Sequence, residues 1–446
     1  MGMNTSHLRF LTVLWIVLSV PFPTKPTLVT VPLIVEGNAP IIELEFPMQS
    51  GKLRKARFLV DTGGGALLLG NKLMADVGAK ADGPPIEDEG SPIQPLIPMQ
   101  VELCGMALDL TGVSVAGLPA SEWAGPRNQA EGIIPASLLR HYDVVFDYPG
   151  HKFSLGKPGS IEFQGAKIPA PVSPDTGFPR IETTIAASKF GFLLDTGGSF
   201  TMISRTVMDQ WLKQNPDWPN EVGAVGFANM YGGAKENEAI MVRMPEMKIG
   251  AVTVNQPAAV SRPAGTFEQW MSKMMTGPII GSLAGNVLRD FCVSIDYKNG
   301  FVYLFPSKPS SDTDLSSVGL ILKKDSKGSL IVTGLSSNAS PDVRKGIHAG
   351  DKLIAVDDVD VSVKLLAGAA ALLQGRAGSQ KRLTVERAGR KQVITVTVTL
   401  LLSTDSHAAD RFQSLLVVGV RLKASCVVTT TFGLPQAKRH SLQRNL

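Results

Sequence analysis

Two Asp-Thr-Gly triplets, beginning at Asp61 and Asp195, are the residues of this chain whose type and setting could do chemistry. Each follows an apolar run, residues 58–60 or 192–194, so each carboxylate is expected at a strand end, in a turn that glycine permits. Two carboxylates held about 3 Å apart cannot both ionise, and they share one proton. The ionised member can then deprotonate a water molecule while the protonated member stabilises an oxyanion.

A third triplet, at Asp175, provides an internal control. It follows Pro174 and precedes Phe178 and Pro179, with no apolar run leading into it. We therefore predict an ordinary turn there. The strand context that Asp61 and Asp195 share favours chemistry at those two positions alone.

The segments that must position the two triplets are themselves duplicated. Residues 40–43 and 56–69 recur as 179–182 and 190–203, with Thr62 and Thr196 separated by 134 positions. Three later segments, 101–105, 132–135 and 146–150, recur in the same order as 247–251, 278–281 and 295–300. The later matches are farther apart, which indicates a longer insertion in the second copy. Self-similarity of this kind predicts two homologous lobes, 28–160 and 161–306.

The secondary structure is predicted to be mainly β, because most segments are short, β-branched and bounded by turn residues. Brief helices are expected at 71–77, 137–140 and 206–213. The insertion of the second copy contains Tyr231, Gly232 and Gly233, a turn signal between apolar stretches.

The net charge and the composition argue against several classes of function. The formal net charge of +5 is spread along the chain, with no cluster of Lys and Arg interleaved with aromatics, so no nucleic-acid partner is expected. The six His residues are scattered and the three Cys residues lack zinc or redox spacing, so neither a metal nor another cofactor is expected. The sequence does not decide whether Cys104 and Cys292 form a disulfide.

The N-terminal residues 1–27 have the pattern of a signal peptide or an uncleaved anchor. His7 and Arg9 lie at the start of an apolar run, residues 8–20, which ends at Pro21. The run is short for a membrane span, and no small-x-small cleavage signal follows it. We expect export from the cytoplasm, with a membrane tether through this segment as an open alternative.

Over residues 31–305 the sequence resembles the aspartic protease superfamily, and in particular bacterial retropepsin-like proteins with two Asp-Thr-Gly lobes in one chain. The resemblance implies a bilobal double β-barrel that hydrolyses polypeptides without a cofactor, with Asp61 and Asp195 as the catalytic pair. It also implies cross-lobe hydrogen bonds from Thr62 and Thr196, and tight turns at Gly63 and Gly197. The segment 279–281 resembles the family's apolar-apolar-Gly element beneath the catalytic loop.

The chain departs from the family pattern at three places. Pro135 stands where lobe one should have the glycine of that element, and Gly64 and Gly198 replace the usual Ser, Thr or Ala after each triplet. Lobe one has no tyrosine between Asp61 and Tyr142, so the usual flap tyrosine is missing. For Tyr231, Gly232 and Gly233 of the lobe-two insertion two interpretations stay open, a flap that covers the cleft and an ordinary surface turn.

After a polar linker, 307–316, residues 317–400 resemble a bacterial PDZ domain, an α+β fold. The resemblance is carried by segments 318–322, 334–341, 347–358 and 383–390. PDZ domains bind a peptide or protein C-terminus as an added strand, with loop amides holding the carboxylate. Here Val318, Gly319 and Leu320 match that loop. Residues 401–446 match no pattern and are expected to form a tail.

These features predict an aspartic endopeptidase with a peptide-binding domain. The alternative is a catalytically inactive protein that binds peptides through its PDZ domain. A trypsin-like serine protease is excluded, because the chain has no Gly-x-Ser-Gly-Gly loop and no upstream His/Asp pair.

Overall fold

The computed structural model describes residues 26–48, 50–88, 91–118, 130–230, 232–306, 315–362 and 364–403. Tyr231, almost all of the predicted signal or anchor, most of the linker and most of the C-terminal tail lie outside these residues. We keep the names lobe one for residues 28–160, lobe two for 161–306 and third domain for 317–400. The limits of these units remain predictions.

Lobe one is built from short strands, as its turn-bounded apolar segments predict. The strands are β1 Leu28–Pro32, β2 Ile34–Glu36, β3 Ala39–Pro47, β4 Leu53–Asp61, β5 Leu67–Gly70, β6 Ile86–Asp88, β7 Ser91–Pro95, β8 Glu102–Leu103, β9 Met106–Ala107, β10 Val115–Leu118, β11 Gly132–Pro135, β12 Asp143–Asp147 and β13 Lys152–Gly156. Its main sheet has the order β6-β7-β10-β5-β11-β4-β3-β8-β9, and β2 pairs with β3.

Lobe two repeats this architecture. Its strands are β14 Ala166–Pro169, β15 Arg180–Ile185, β16 Ser188–Leu194, β17 Met202–Ser204, β18 Asn220–Val222, β19 Ile240–Arg243, β20 Glu246–Ile249, β21 Val252–Asn255, β22 Ala258–Arg262, β23 Gly281–Leu283, β24 Phe291–Asp296 and β25 Phe301–Pro306. The sheet order β18-β19-β22-β17-β23-β16-β15-β20-β21 matches lobe one strand for strand. The internal repeat of the sequence is therefore also a repeat of topology.

A third sheet joins the lobes in the order β1-β13-β12-β24-β25-β14. Its central pair, β12 and β24, is antiparallel and comes from the last repeated segment of each lobe, with Phe146 opposite Val293. Strand pairing across the lobes therefore fixes their relative position.

Within the described residues the helices are few and short. They are α1 Asn71–Val77, α2 Ala136–Leu139, α3 Arg205–Gln214, α4 Gly285–Leu288, α5 Pro341–Gly346 and α6 Leu366–Leu373. The first three confirm the helices predicted from sequence within one residue at each end. Four helical turns, Gly226–Ala228, Ala234–Asn237, Thr266–Trp270 and Met271–Met274, lie in lobe two. The mainly β class is confirmed, and none of the described sheets closes on itself.

The third domain contains β26 Ser316–Ser317, β27 Leu320–Lys324, β28 Leu330–Leu335, β29 Lys352–Val356, β30 Val359–Asp360, β31 Gln380–Arg387, β32 Arg390–Thr397 and β33 Thr399–Leu400. Its sheet has the order β27-β28-β29-β31-β32, so β27 is an edge strand, and β26 pairs with β33.

The buried apolar residues connect all three units. Phe58 and Phe192 belong to one cluster that runs through both lobes. A second cluster contains Ala228 of lobe two together with Ile321 and Leu401, so lobe two and the third domain bury apolar surface against each other. Burial of this kind holds the third domain on the lobe.

The described residues include two cysteines, Cys104 and Cys292, and both are free thiols. The described part of the chain contains no helix with the length and hydropathy needed to cross a membrane.

Candidate active site

Asp61 lies at the end of β4, a strand held between β3 and β11. Phe58 and Val60 are fully buried, which anchors the strand and leaves the carboxylate at its exposed end. The Gly63 amide donates to Asp61 Oδ1 at 2.8 Å, and the Gly64 amide donates to the Asp61 carbonyl at 3.2 Å. The turn therefore fixes the orientation of the carboxylate through backbone donors.

Asp195 occupies the equivalent position, directly after β16. Its own amide donates to the Leu283 carbonyl at 2.9 Å, and the Gly198 amide donates to Asp195 Oδ1 at 2.7 Å. Asp195 is 8% exposed, and Asp61 is half-buried. The two carboxylates thus have similar donors and differ in their access to solvent.

Thr62 and Thr196 join the two turns by reciprocal hydrogen bonds. Each threonine amide donates to the other hydroxyl, at 3.1 Å for Thr62 N and 3.0 Å for Thr196 N. Each hydroxyl in turn donates to a carbonyl across the interface: Thr62 to Leu194 at 2.5 Å and Thr196 to Val60 at 2.7 Å. Both threonines are fully buried, so these four bonds are shielded from water.

The same interface brings each glycine of the triplets against the carboxylate of the other lobe. A Cβ at position 63 would lie 3.5 Å from Asp195 Cγ, and one at position 197 would lie 2.2 Å from Asp61 Cγ. Only glycine fits at 197 without displacing Asp61. The structure therefore brings Asp61, Thr62, Gly63, Asp195, Thr196 and Gly197 together at one junction.

The third triplet is placed elsewhere. Asp175 lies in a turn between β14 and β15, and Thr176 Oγ1 donates to the Met274 carbonyl at 3.1 Å. The prediction of a turn at this triplet is confirmed.

In lobe two, the segment that lies beneath the Asp turn differs from the predicted segment, 279–281. Pro135 is paired opposite Asp61, and the Ala136 amide donates to the Gly64 carbonyl at 3.0 Å. In lobe two the corresponding bond runs from Gly285 to Gly198, at 2.9 Å, so Ala284 is the counterpart of Pro135. The segment predicted for this role, 279–281, lies three residues too early. Apolar pairs lie near Gly281 on both sides, Ile279 and Ile280 before it and Leu283 and Ala284 after Ser282, and they conceal the correct frame from sequence comparison.

Two tyrosines beneath the site were not predicted as site residues. Tyr148 and Tyr297 follow β12 and β24, and both are buried. Burial raises the pKa of the Tyr148 hydroxyl, and the charge of Asp195 adds to the effect. Tyr297 has its pKa raised in the same way by burial and by Asp61. Neither hydroxyl has a hydrogen-bond partner among the described residues. The repeated Asp-Tyr pair was the signal in the sequence.

Asn38 is a second residue that sequence reasoning missed. It lies in the turn between β2 and β3 of lobe one and is 4% exposed. Its Nδ2 donates to the Ser199 carbonyl at 3.1 Å, and its Oδ1 accepts from Arg289 at 2.6 Å. Asn38 therefore ties lobe one to the loop that follows Gly198. A lone asparagine in a turn carries no sequence signal for this role.

Of the predicted flap residues, Gly232 lies next to the third domain. A Cβ at position 232 would be 3.4 Å from Lys323 Cα, whereas one at position 233 would meet no neighbour within 4 Å. Tyr231 lies outside the described residues. A flap role for Tyr231, Gly232 and Gly233 stays a prediction.

The predicted peptide-binding loop leads into β27. The Val318 amide donates to the Leu373 carbonyl at 3.1 Å, Gly319 has a φ of 84°, and Leu320 begins the strand. Across the described ranges, His, Cys, Asp and Glu form no group of three or more that could hold a metal ion.

Solved structures similar to this chain include two that differ in coverage. An aspartic proteinase from Irpex lacteus covers 64% of this chain and 99% of its own, at 13% identity and a TM-score of 0.39. The PDZ domain of a carboxy-terminal protease from Vibrio cholerae, in complex with a peptide, covers 19% of this chain and 94% of its own, at 24% identity and a TM-score of 0.18. No protein-family model and no curated protein matches this chain. The case for chemistry therefore rests on the geometry of the two turns.

Proposed function

We propose that this chain is an aspartic endopeptidase with a two-lobed aspartic-protease arrangement and Asp61 and Asp195 as its catalytic pair. The observation that carries the proposal is the reciprocal network of Thr62 and Thr196, which holds the two Asp turns against each other. Such rigid support is what general acid–base catalysis requires of its groups.

In the proposed reaction the two carboxylates share one proton. The ionised carboxylate takes a proton from a bound water, which attacks the carbonyl carbon of the scissile peptide bond. The protonated carboxyl donates to the carbonyl oxygen as negative charge develops there. Collapse of the tetrahedral intermediate breaks the C–N bond, and the leaving amine takes a proton from the pair. The apparent pKa values belong to the pair and to neither residue alone.

For the third domain we propose binding of peptide or protein C-termini along β27, with the carboxylate held at the loop of residues 318–320 by amides other than that of Val318, which donates to the Leu373 carbonyl. This role is supported by the position of β27 at the edge of its sheet, because an edge strand can pair with an added strand. For the whole protein we propose extracytoplasmic polypeptides as substrates, which is supported by the apolar N-terminal run.

The test is a digest of a proteome-derived peptide library by the native chain, Asp61→Asn and Asp195→Asn. We expect cleavage by the native chain and a loss of roughly 10²–10⁴-fold in each variant, with the fold retained by circular dichroism. Asp175→Asn, which changes a turn remote from the pair, is the matched control and should cleave like the native chain. Near-native cleavage by either site variant would rule out the pair. A native chain that cleaves nothing would leave the peptide-binding alternative.

A further inference from the structure

The edge of β27 is directed at lobe two. The Gly319 carbonyl accepts from the Ser336 amide at 2.8 Å, and the Ile321 carbonyl accepts from Thr333 Oγ1 at 3.2 Å, so both face β28. Backbone groups alternate in direction along a strand. The N–H and C=O groups of Leu320 and Leu322 therefore point away from β28, toward the side where an added strand would pair.

Helix α6 forms the second wall of a groove along this edge. The Leu373 carbonyl at its end accepts from the Val318 amide at 3.1 Å and from Ser317 Oγ at 3.3 Å. These bonds fix the end of α6 beside the predicted carboxylate-binding loop. A peptide that pairs with β27 would have to lie between this strand and α6.

Lobe two already covers this position with residues 226–230 and Gly232. Asn229 Nδ2 donates to the Leu322 carbonyl at 2.7 Å, and Asn229 Oδ1 accepts from the Gly232 amide at 3.0 Å. Asn229 is 5% exposed. The helical turn Gly226–Ala228 packs against α6. A Cβ at position 232 would lie 3.6 Å from the Leu322 carbonyl oxygen.

We propose that residues 226–230 together with Gly232 are a built-in ligand of the third domain, which a peptide must displace in order to enter the groove. The inference rests on the proposed peptide-binding role of this domain. Peptide capture and the docked form of the lobe-two insertion then exclude each other. The apparent affinity for peptide is reduced by the small fraction of molecules in which the groove is open.

Asn229→Asp tests the contact with little change of shape. Aspartate keeps an acceptor for the Gly232 amide, but it removes the donor to Leu322 and places a charge against that carbonyl. Asn237→Asp is the matched control. Asn237 lies in the same insertion and bonds Thr333 of β28, at 3.2 and 3.3 Å, so it contacts the third domain away from the edge of β27. Both changes are made in the full chain carrying Asp61→Asn, so that the probe is not cleaved.

Two readouts are used. Hydrogen–deuterium exchange reports the exposure of residues 318–324, and fluorescence anisotropy reports binding of a fluorescein-labelled peptide with the sequence of residues 223–230, as free acid and as C-terminal amide. We expect Asn229→Asp to speed exchange and to bind the free acid at least about tenfold more tightly than the Asp61→Asn parent. Asn237→Asp should match that parent in both.

Each outcome is decisive. Unchanged exchange in a folded Asn229→Asp chain, or equal acceleration by Asn237→Asp, would overturn the proposal. Faster exchange confined to Asn229→Asp, with neither peptide bound, would support the covering segment and reject the peptide-binding role proposed for the domain.

A second test holds the groove closed instead of opening it. A Cβ at position 232 would lie 3.6 Å from Lys323 Cβ, within the range of about 3.5–4.5 Å for disulfides. Cysteine at position 232 must adopt a φ of 63°, which costs some stability, but Gly232→Cys combined with Lys323→Cys should lock this segment onto β27 when oxidised. We expect oxidation to abolish the remaining peptide binding and dithiothreitol to restore it. A locked chain that binds peptide as tightly as its reduced form would contradict the proposal.

Discussion

The two lobes contain the same hairpin in two settings. In lobe one, β6 and β7 are joined by a two-residue connection, and the central residue of β6, Glu87, is exposed. In lobe two, the corresponding strands β18 and β19 are separated by residues 223–239, and the central residue of β18, Glu221, is fully buried. The strand order around both hairpins is the same.

The difference comes from the third domain. Ser336 of that domain donates a hydrogen bond to the Glu221 carboxyl group. Beside it, the Val222 amide donates to Ser337 Oγ and the Ser337 amide donates to the Val222 carbonyl, both at 2.9 Å. The lobe-two hairpin has thus become a docking surface, whereas the lobe-one hairpin keeps an exposed strand. Duplication preserved the sheet and left the hairpin free to change.

At the junction between the lobes, equivalent substitutions in the two lobes should have similar effects on stability. Thr62→Val and Thr196→Val each remove a hydroxyl that both donates and accepts across the interface. We expect each to lower the free energy of unfolding by about 1–3 kcal/mol for every backbone group left unpaired. The two losses should be strongly non-additive, because the threonines share one network. Urea unfolding of the single and double variants measures both quantities.

Thr183→Val is the matched control for these variants. Thr183 is also buried, in β15, but its hydroxyl has no partner among the described residues. We expect its replacement to leave stability unchanged or slightly raised. A loss as large as that of Thr62→Val would show that the cross-lobe bonds contribute nothing specific.

Glu221 should make the stability of the protein depend on pH. Burial raises the pKa of Glu221 from its usual value near 4.5 to about 8, although the Ser336 hydrogen bond lowers it. Between these values the unfolded chain has lost the proton and the native chain keeps it. The free energy of unfolding should therefore fall as pH rises, by about 1.4 kcal/mol per pH unit, and level off above pH 8.

Glu221→Gln should remove this pH dependence, as measured by urea unfolding between pH 5 and pH 9. Glu87→Gln on the exposed counterpart strand is the control and should retain the native dependence. Ser336→Ala should move the end of the decline to higher pH, because it removes the bond that favours the charged form. A native chain with flat stability across this range would refute a buried proton on Glu221.

The smallest expected effects concern Gly64 and Gly198. Without a hydroxyl donor at either position, the pair should hold its proton to higher pH, and we predict a bell-shaped activity profile centred at weakly acidic to neutral pH. A Cβ at position 64 would lie 3.2 Å from Asp61 Oδ2, a tight contact that a shift of a few tenths of an ångström relieves, and a serine hydroxyl there would be within reach of the carboxylate. Gly64→Ser should move the acidic limb downward by up to about one pH unit.

At position 198 the same change meets a tighter site. A Cβ there would lie 2.8 Å from Asp195 Oδ2 and 3.1 Å from Ala284 Cβ. We therefore expect Gly198→Ser to lower turnover, by roughly 10–100-fold, because the carboxylate must move. Gly65→Ser, at a position where a Cβ would meet nothing within 4 Å, should leave the pH–rate profile as it is in the native chain. Equal effects of Gly64→Ser and Gly198→Ser would argue against a difference in available space between the two positions.

The sequence by itself determined the duplicated strand-and-turn pattern, the position of both Asp-Thr-Gly turns and the helix at 71–77. These features depend on contacts between residues close in the chain, or on a repeat that can be compared with itself. It misplaced the element beneath the lobe-two turn, because any apolar segment with a glycine satisfies the pattern, and only strand pairing selects Leu283 and Ala284.

Only the tertiary structure decided which surfaces meet. Glu87 and Glu221 are both glutamates at the centre of the first strand of their hairpin, and their residue type does not separate them. Their difference arises when residues more than one hundred positions away, such as Ser336, pack against one of them. The same holds for Asn229, an ordinary turn residue whose role depends on the distant carbonyl of Leu322. Such contacts result from packing between folded units, and the chain encodes them through shape rather than through a motif.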